Sequence, residues 1–300
     1  MKAATGAVYD RGYQRYEGPP GGRKTAALAL YKSSLRRALG LRRPWRQKAV
    51  PFLLLGIATL PAMINVGFGF LTRGSPVQGF EFISYYEYAG LSSVLLLFVA
   101  VTAPDLVCPD RRQRVLSLVL ARPLTSIDYA LVKIAAVVTC VFAFSLLPQV
   151  LLFVGQTAVS KSPGDYVADN AEVLWQVPLA AAALAVFYGS VSMAFASITT
   201  RRVVAAASLI GAALISGVLS EAWVESGGTD NGHLGALLNL VSLPLNINDL
   251  VFLGKLHADN QLSGLSHAAV IAVLAYVAVV VGALTTVLYR YRPSVAGDDR

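Results

Sequence analysis

The chain has 300 residues, of which 55% are hydrophobic and only 14% are charged, and its formal net charge is +8. Because an ordinary soluble domain has about 25% charged residues, this composition excludes a typical soluble protein and indicates a membrane protein. The two cysteines, Cys108 and Cys140, are too few for a disulfide framework, and Cys140 lies inside an apolar run.

The first 49 residues come before any long apolar run. Residues 1–24 are rich in Gly, Pro and Tyr and predict a tail, whereas residues 25–49 predict a basic amphipathic helix. In Thr25–Leu39 the apolar residues recur at helical spacing, Thr25 can cap the start, and Gly40 can end the helix. Such a helix lies on the inner leaflet or packs on the protein's own cytoplasmic loops, and the two arrangements are compatible.

Six apolar runs have the roughly 17–25 residues that a helix needs to cross a bilayer. Because lipid offers no hydrogen-bond partners to the backbone, each run predicts a transmembrane helix. The expected fold class is an all-α integral membrane protein, with a transmembrane domain over residues 50–289. The six predicted spans are Val50–Leu71, Tyr88–Val107, Ala130–Val154, Val177–Ile198, Val203–Ser220 and Ala268–Tyr289.

The loop 108–129 between the second and third spans has a helical pattern of its own. Pro109 is expected to end the preceding span, and Asp110 with Gln113 can form a capping box that starts a helix over Asp110–Ala121. Pro123 disfavours helix in the residue before it, and Thr125 or Ser126 can cap the next helix. The apolar face of this short helix consists of Val115, Leu116, Leu118, Val119 and Leu120. That face must contact lipid, the rest of the chain or a partner, and a plain membrane-surface helix is the simplest alternative.

The loop 221–267 is the longest between two spans. Its segment His233–Gly254 is apolar but is interrupted by Pro244, Asn246 and Asn248, so that each half is too short to cross a bilayer. The pattern predicts a re-entrant or interfacial hairpin before the last span, with an ordinary folded cap as the alternative.

The orientation follows from the positions of the basic residues. With the N-terminus in the cytoplasm, 22 of the 25 Lys and Arg residues fall on the inner side. This bias predicts that both termini, including the tail 290–300, are cytoplasmic. The expected location of the protein is the plasma (inner) membrane. The basic residues are spread over every inner segment, as orientation requires, so the charge does not indicate nucleic-acid binding.

The predicted spans and loops show no pattern that is typical of ion coupling, nucleotide binding or metal binding. No ionisable residue lies in the middle of a predicted span, which argues against ion-coupled transport. The segment Gly18–Thr25 lacks the Gly-Lys-Ser/Thr ending of a phosphate loop, and His233, His257 and His267 have irregular spacing. We therefore expect no catalytic residue, cofactor or metal in this chain, no enzyme activity of its own, and an energy source, if any, in another subunit.

These features together resemble the membrane permease of type-2 ABC exporters. That family has a cytoplasmic amphipathic helix, six spans, a coupling helix between spans two and three, and an outer re-entrant hairpin before span six; these match Thr25–Leu39, Asp110–Ala121 and His233–Gly254. The most specific local match is "DRRQRVLSLVLARPLTSIDYALVK". The positions that fit the family pattern are Asp110, Leu116, Leu118, Pro123, Ser126, Tyr129 and Lys133. The N-terminal tail departs from that pattern.

The resemblance implies a homodimer of permeases in the membrane lipid, with two separate subunits that bind ATP and Mg²⁺. The residues that would contact the ATPase are Asp110, Arg111, Arg112, Arg114, Val115, Leu116, Leu118, Val119 and Pro123. The residues that would line the pathway or the dimer contact are Ser92, Ser93, Leu96, Ser208, Gly211, Ala212 and Ser216. The residues of an outer gate would be Leu243, Pro244 and Asn246.

The small residues of the fifth span, Ala205–Gly217, permit close helix contact, either within one subunit or between two. The apolar character of the predicted pathway spans favours a lipophilic or amphipathic substrate over an ion. Two other functions remain open. A stand-alone carrier or channel would transport without ATP, and a non-transporting membrane subunit would bind an ATPase but give no flux.

Overall fold

The computed structural model of the protein describes residues 22–40, 45–73, 83–113, 123–226, 232–257, 260–262, 265 and 267–292. Within these ranges the regular secondary structure is helical, and six helices are long and apolar enough to cross a membrane. The predicted fold class, an all-α integral membrane protein with six spans, is confirmed.

The described helices follow one another as antiparallel spans with shorter helices between them. The helices are α1 (Arg23–Ala38), α2 (Trp45–Leu71), α3 (Ser92–Arg112), α4 (Ser126–Val159), α5 (Pro163–Asp169), α6 (Val173–Ile198), α7 (Arg202–Ser226), α8 (Ser242–Leu253) and α9 (Ala268–Arg290). Two 3-10 helices precede α3 and α8, at Glu87–Leu91 and Gly232–Leu238. The spans are α2, α3, α4, α6, α7 and α9.

The bundle has two ends, which we name by α1. At the α1 end, α3 and α6 end and α4 and α7 begin. At the opposite end, α3 begins and α7 ends. The 3-10 helix Gly232–Leu238 and α8 also lie at this opposite end. With 34 residues, α4 is about 50 Å long, which exceeds the roughly 30 Å hydrocarbon core of a bilayer. This helix is therefore long enough to extend beyond the hydrocarbon core.

The core is centred on α6, which packs against α3, α4, α8 and α9. Close approach of helices depends on glycine, as two contacts of α4 show. A Cβ on Gly155 of α4 would lie 2.2 Å from Cγ2 of Val66 on α2, and a Cβ on Gly189 of α6 would lie 2.8 Å from Cγ2 of Val138 on α4. By contrast, α2, α7 and α9 carry many exposed apolar side chains, which is typical of lipid-facing helices.

The boundary of the second span differs from the sequence prediction. Helix α3 continues through Pro104 and Pro109 to Arg112, so Pro109 does not end it and Asp110 does not cap a new helix. Proline removes one backbone hydrogen bond and its ring clashes with the carbonyl four residues earlier, which can kink a helix without ending it. The remainder of the predicted Asp110–Ala121 helix, residues 114–122, lies outside the described residues.

The hairpin before the last span breaks earlier than its prolines and asparagines suggested. The gap between the 3-10 helix and α8 falls at residues 239–241, where the side chain of Asn239 accepts hydrogen bonds from the backbone N–H groups of Val241 and Ser242. Pro244 lies in the first turn of α8, where a helix has no use for its N–H, and Asn246 and Asn248 lie within α8. The prediction of a break at Pro244 is wrong.

The amphipathic helix is present with a shifted start. Helix α1 begins at Arg23 after Gly22, which has no side-chain cap, so the predicted cap at Thr25 is wrong. It ends at Ala38, and Gly40 adopts the left-handed conformation with φ 66°, as its predicted role requires. Helix α1 packs against α3 and α4, which shows that it rests on the protein's own helices.

Candidate functional site

Four ionic and aromatic side chains meet at the α1 end, and we call them the Asp110 cluster: Arg37, Asp110, Tyr129 and Lys133. The Lys133 ammonium lies 2.8 Å from Oδ2 of Asp110, and the Tyr129 hydroxyl donates to the same oxygen at 2.8 Å. The Arg37 guanidinium donates to the other carboxylate oxygen. The cluster therefore joins α1, α3 and α4 through one carboxylate.

Three members of the Asp110 cluster are buried, whereas the side chain of Arg37 is 39% exposed. Asp110 is 6% exposed and Lys133 is 2% exposed, and Tyr129 is fully buried. Lys133 also donates to the backbone carbonyl of Leu106 at 2.9 Å and lies 5.4 Å from the centre of the Tyr129 ring. Burial of isolated charges is costly, and the mutual pairing and hydrogen bonds offset that cost.

A second contact fixes the other end of α1 to the start of α4. Asp128 and Thr125 form a capping box, which confirms Thr125 as the predicted cap of the third span. The Asp128 carboxylate also accepts two hydrogen bonds from Arg23 at 2.8 and 2.6 Å. The hydroxyl of Tyr31 donates to Thr139 at 2.8 Å, further along α4. Helix α1 is thus held along its length.

The end of α3 is also attached to the helices beside it. Arg111 donates a hydrogen bond to the backbone carbonyl of Ser197, near the end of α6. Arg202, at the start of α7, pairs with Asp105 at 2.6 Å on the outer surface of the bundle. The chain therefore enters residues 114–122 from a helix end that α1, α4, α6 and α7 all brace.

The structure changes how the expected ATPase-contacting residues are understood. Asp110 is buried inside its own chain and Arg111 donates to α6, and the contact of both residues with an ATPase stays a prediction. Arg112 and Pro123 are exposed on the two sides of the segment. The other predicted contacts, Arg114, Val115, Leu116, Leu118 and Val119, lie outside the described residues.

The predicted pathway and dimer residues lie on α3 and α7, which pack against each other within one chain. On α3, Ser92 is buried, Ser93 is exposed and Leu96 is half-buried. On α7, the hydroxyls of Ser208 and Ser216 donate to the backbone carbonyls three residues earlier.

Ser216 also accepts a hydrogen bond from the backbone N–H of Leu240 at 3.2 Å, which ties α7 to the hairpin. Gly211 and Ala212 are half-buried, and a Cβ on Gly211 would meet open space, so its own chain does not require glycine there.

The predicted gate residues are packed in the hairpin at the opposite end. Leu243 is 1% exposed, Pro244 is buried, and Asn246 accepts a hydrogen bond from Asn260 at 2.7 Å. Helix α8, which carries them, packs against α6 and α9. Their role as a gate stays a prediction.

A polar cavity of about 510 Å³ lies beside these residues. Its walls come from the segment before α3, the end of α7, the hairpin and the loop after α8. The side chains that fix its shape are hydrogen-bonded across elements. Asn248 donates to the carbonyl of Tyr86 at 3.2 Å, and the Tyr86 hydroxyl donates to Asp249 at 3.0 Å.

The loop after α8 returns to the cavity because of one glycine. Gly254 ends α8 in the left-handed conformation with φ 67°, which a residue with a Cβ adopts only with strain. The chain then turns so that the backbone N–H of His257 donates to Asp249 at 3.1 Å, and the His257 ring stacks on Tyr86 with centroids 6.1 Å apart. No local sequence pattern indicates this site, because its residues come from distant segments.

The described residues contain no group of three or more His, Cys, Asp and Glu side chains that could hold a metal ion. The two described histidines at this end have different contacts: His233 contacts the carbonyl of Gln261, and His257 stacks on Tyr86. No protein-family model matches the sequence, and no curated protein matches it, so the interpretation of this six-span membrane protein depends on its own residues.

Proposed function

We propose that this six-span membrane protein is the permease subunit of an ATP-driven exporter of the type-2 ABC class. In this proposal, two copies pair in the plasma membrane, two separate ATPase subunits bind from the cytoplasm, and the segment over residues 110–121 receives their movement. The cargo leaves the cell and is lipophilic or amphipathic.

One observation carries the proposal: the buried Asp110 cluster lies immediately before residues 114–122 and joins three helices at one carboxylate. A segment that transmits movement to a bundle needs rigid attachment on both sides. The Asp110 cluster supplies it on the α3 side, and the Thr125–Asp128 capping box with Arg23 supplies it on the α4 side. A surface helix that only covers lipid would need neither.

Co-purification tests the proposal. The tagged chain is extracted from its native membranes in a mild detergent, and the sample is assayed for an ATP-binding polypeptide and for vanadate-sensitive ATP hydrolysis. We expect both with the natural chain. The variant Leu116→Asp with Leu118→Asp should lose both, because two charges would disrupt the apolar face that contacts the ATPase.

The matched control is Leu234→Asp with Leu238→Asp, which places the same two charges on exposed leucines at the opposite end. This control should retain the ATPase. If the natural chain yields no ATPase, or if the Leu116 and Leu118 variant retains it, the proposal is wrong. Transport by the purified chain without ATP would favour a stand-alone carrier instead.

A further inference from the structure

The cavity at the end opposite α1 has the size and the lining of a ligand site. Its volume of about 510 Å³ falls within the roughly 300–1,000 Å³ that small-molecule sites have. Three carboxylates line it, on Glu87, Glu221 and Asp249, and no Lys or Arg is among the described residues that line it. Hydrogen bonds from the backbone and hydroxyl of Ser84 lower the pKa of the Glu87 carboxyl, so this group is ionised at neutral pH. The cavity is therefore a strongly anionic space.

Asp249 differs from the other two acids because it is buried. It is 6% exposed and accepts one hydrogen bond from the Tyr86 hydroxyl and one from the His257 backbone. Within the described part of the chain, no Lys or Arg forms an ion pair with it, whereas the buried Asp110 has two basic partners. A buried carboxylate without a counter-charge is costly, and a bound cation would offset that cost.

The wall next to Asp249 is aromatic. Tyr86 and His257 stack with an angle of 17° between their planes, and Phe252 meets the Tyr86 ring edge-on at 6.3 Å. Aromatic faces attract ammonium groups that lie within about 6 Å. Amide side chains on Asn239, Asn246 and Gln261 add hydrogen-bonding groups around the same space. Among the described residues, acids and histidines form no group of three or more that could hold a metal ion, and a carboxylate beside aromatic rings favours an organic ammonium group.

We propose that this cavity binds a small organic cation, with the Asp249 carboxylate as its counter-charge and the Tyr86–His257 stack as the wall on which its ammonium group rests. The remaining amides hold hydroxyl or carbonyl groups of the ligand. This is a binding site in its own right, and it does not depend on the presence of an ATPase.

Calorimetric titration of the purified chain tests the site. The chain is placed in uncharged maltoside micelles, which contain no choline headgroups. The probes are choline, its neutral isostere 3,3-dimethylbutan-1-ol, and calcium ion. We expect choline to bind, the neutral isostere to bind at least about tenfold more weakly, and calcium not to displace choline, because the site recognises charge on an organic framework.

Three variants locate the binding. Asp249→Asn keeps the size of the side chain and should raise the choline Kd at least about tenfold. Glu221→Gln changes an exposed carboxylate at the cavity rim and should raise it about two- to threefold, a test that remains valid if Asp249→Asn does not fold. Glu225→Gln lies on α7 outside the cavity lining and should leave the Kd unchanged.

The proposal is overturned if choline does not bind, if the neutral isostere binds as tightly, or if calcium alone binds. It is also overturned if Glu221→Gln and a folded Asp249→Asn both leave the Kd unchanged. Because these titrations use the chain without a partner, their failure would leave the proposed export function untouched. Equally, a missing ATPase would leave the binding site untouched.

Discussion

Replacement of Lys133 by methionine is the most informative test of the Asp110 cluster. Methionine has nearly the length of lysine but no charge and no donor, so Lys133→Met removes the 2.8 Å ion pair to Asp110 and the 2.9 Å hydrogen bond to the Leu106 carbonyl. Removing one partner of a buried ion pair costs about 3–5 kcal/mol. Since Arg37 and Tyr129 still contact Asp110, we expect a loss of about 3 kcal/mol, at the lower end of that range.

The assay is equilibrium unfolding in mixed micelles with increasing SDS, followed by far-UV circular dichroism. A double-mutant cycle with Asp110→Asn isolates the pair. Each single variant leaves a buried group without its partner, whereas the double variant removes both charges together. We therefore expect the double variant to lose about 2 kcal/mol less unfolding free energy than the two single variants lose together.

The control for this cycle is Arg202→Met, which breaks the exposed pair with Asp105 at the same end of the bundle. Exposed pairs contribute little, so its loss should stay below about 1 kcal/mol. If Lys133→Met costs no more than Arg202→Met, or if the losses of the two single variants in the cycle simply add, then the Asp110 cluster does not hold α1, α3 and α4 together as argued.

Two further predictions follow from helix packing and from topology. Gly155→Ala should lower the free energy of unfolding by about 1–3 kcal/mol, because its Cβ would overlap Val66. The added change Val66→Ala should restore most of that loss in the same unfolding assay. No loss for Gly155→Ala would contradict the packing of α2 on α4. For orientation, the exposed positions Gln113 and Lys161 are changed singly to cysteine in a chain whose native cysteines are buried. A membrane-impermeant maleimide applied to intact cells should label Lys161→Cys, and should label Gln113→Cys only after permeabilisation; the reverse pattern would invert the proposed topology.

The spans were predictable because a soluble core of a 300-residue chain cannot bury several separate runs of about 20 apolar residues, whereas a bilayer can. Each of the six predicted spans overlaps one observed helix, and the third, α4, extends past its predicted run at both ends. The extra turn at its start contains Asp128, which the polar pattern had assigned to the loop 108–129. Apolar length locates the membrane but not the polar turns that continue a helix beyond it.

The Asp110 cluster was not predictable in the same way. Asp110 and Lys133 are 23 positions apart, and a sequence that shows both near a loop gives no sign that they meet in a buried pair. The one local signal is the spacing of Tyr129 and Lys133, four residues apart on the same helix face. The treatment of Pro109 as a helix end hid the fact that Asp110 still belongs to α3.

The cavity at the other end of the bundle was also not predictable from local sequence patterns. The sequence identified Asn246 and Asn248 as helix breakers, whereas α8 contains both and uses them to hold Asn260 and Tyr86. The role of Asp249 depends on Tyr86, which is 163 positions away. Such long-range pairing follows from the packing of α8 beside the start of α3 and has no local pattern.

We propose that an ATP cycle in a separate subunit moves the segment after α3. The most direct measurement is the distance between spin labels on Gln113→Cys in the two copies of the purified complex, with and without ATP and vanadate. We expect one distance distribution without nucleotide and a shifted one when ATP and vanadate trap the closed ATPase. Identical distributions in an ATPase-active complex would contradict this proposal. A complex in which no interaction between two labels is detected would also contradict it, because it would contain only one copy of the chain.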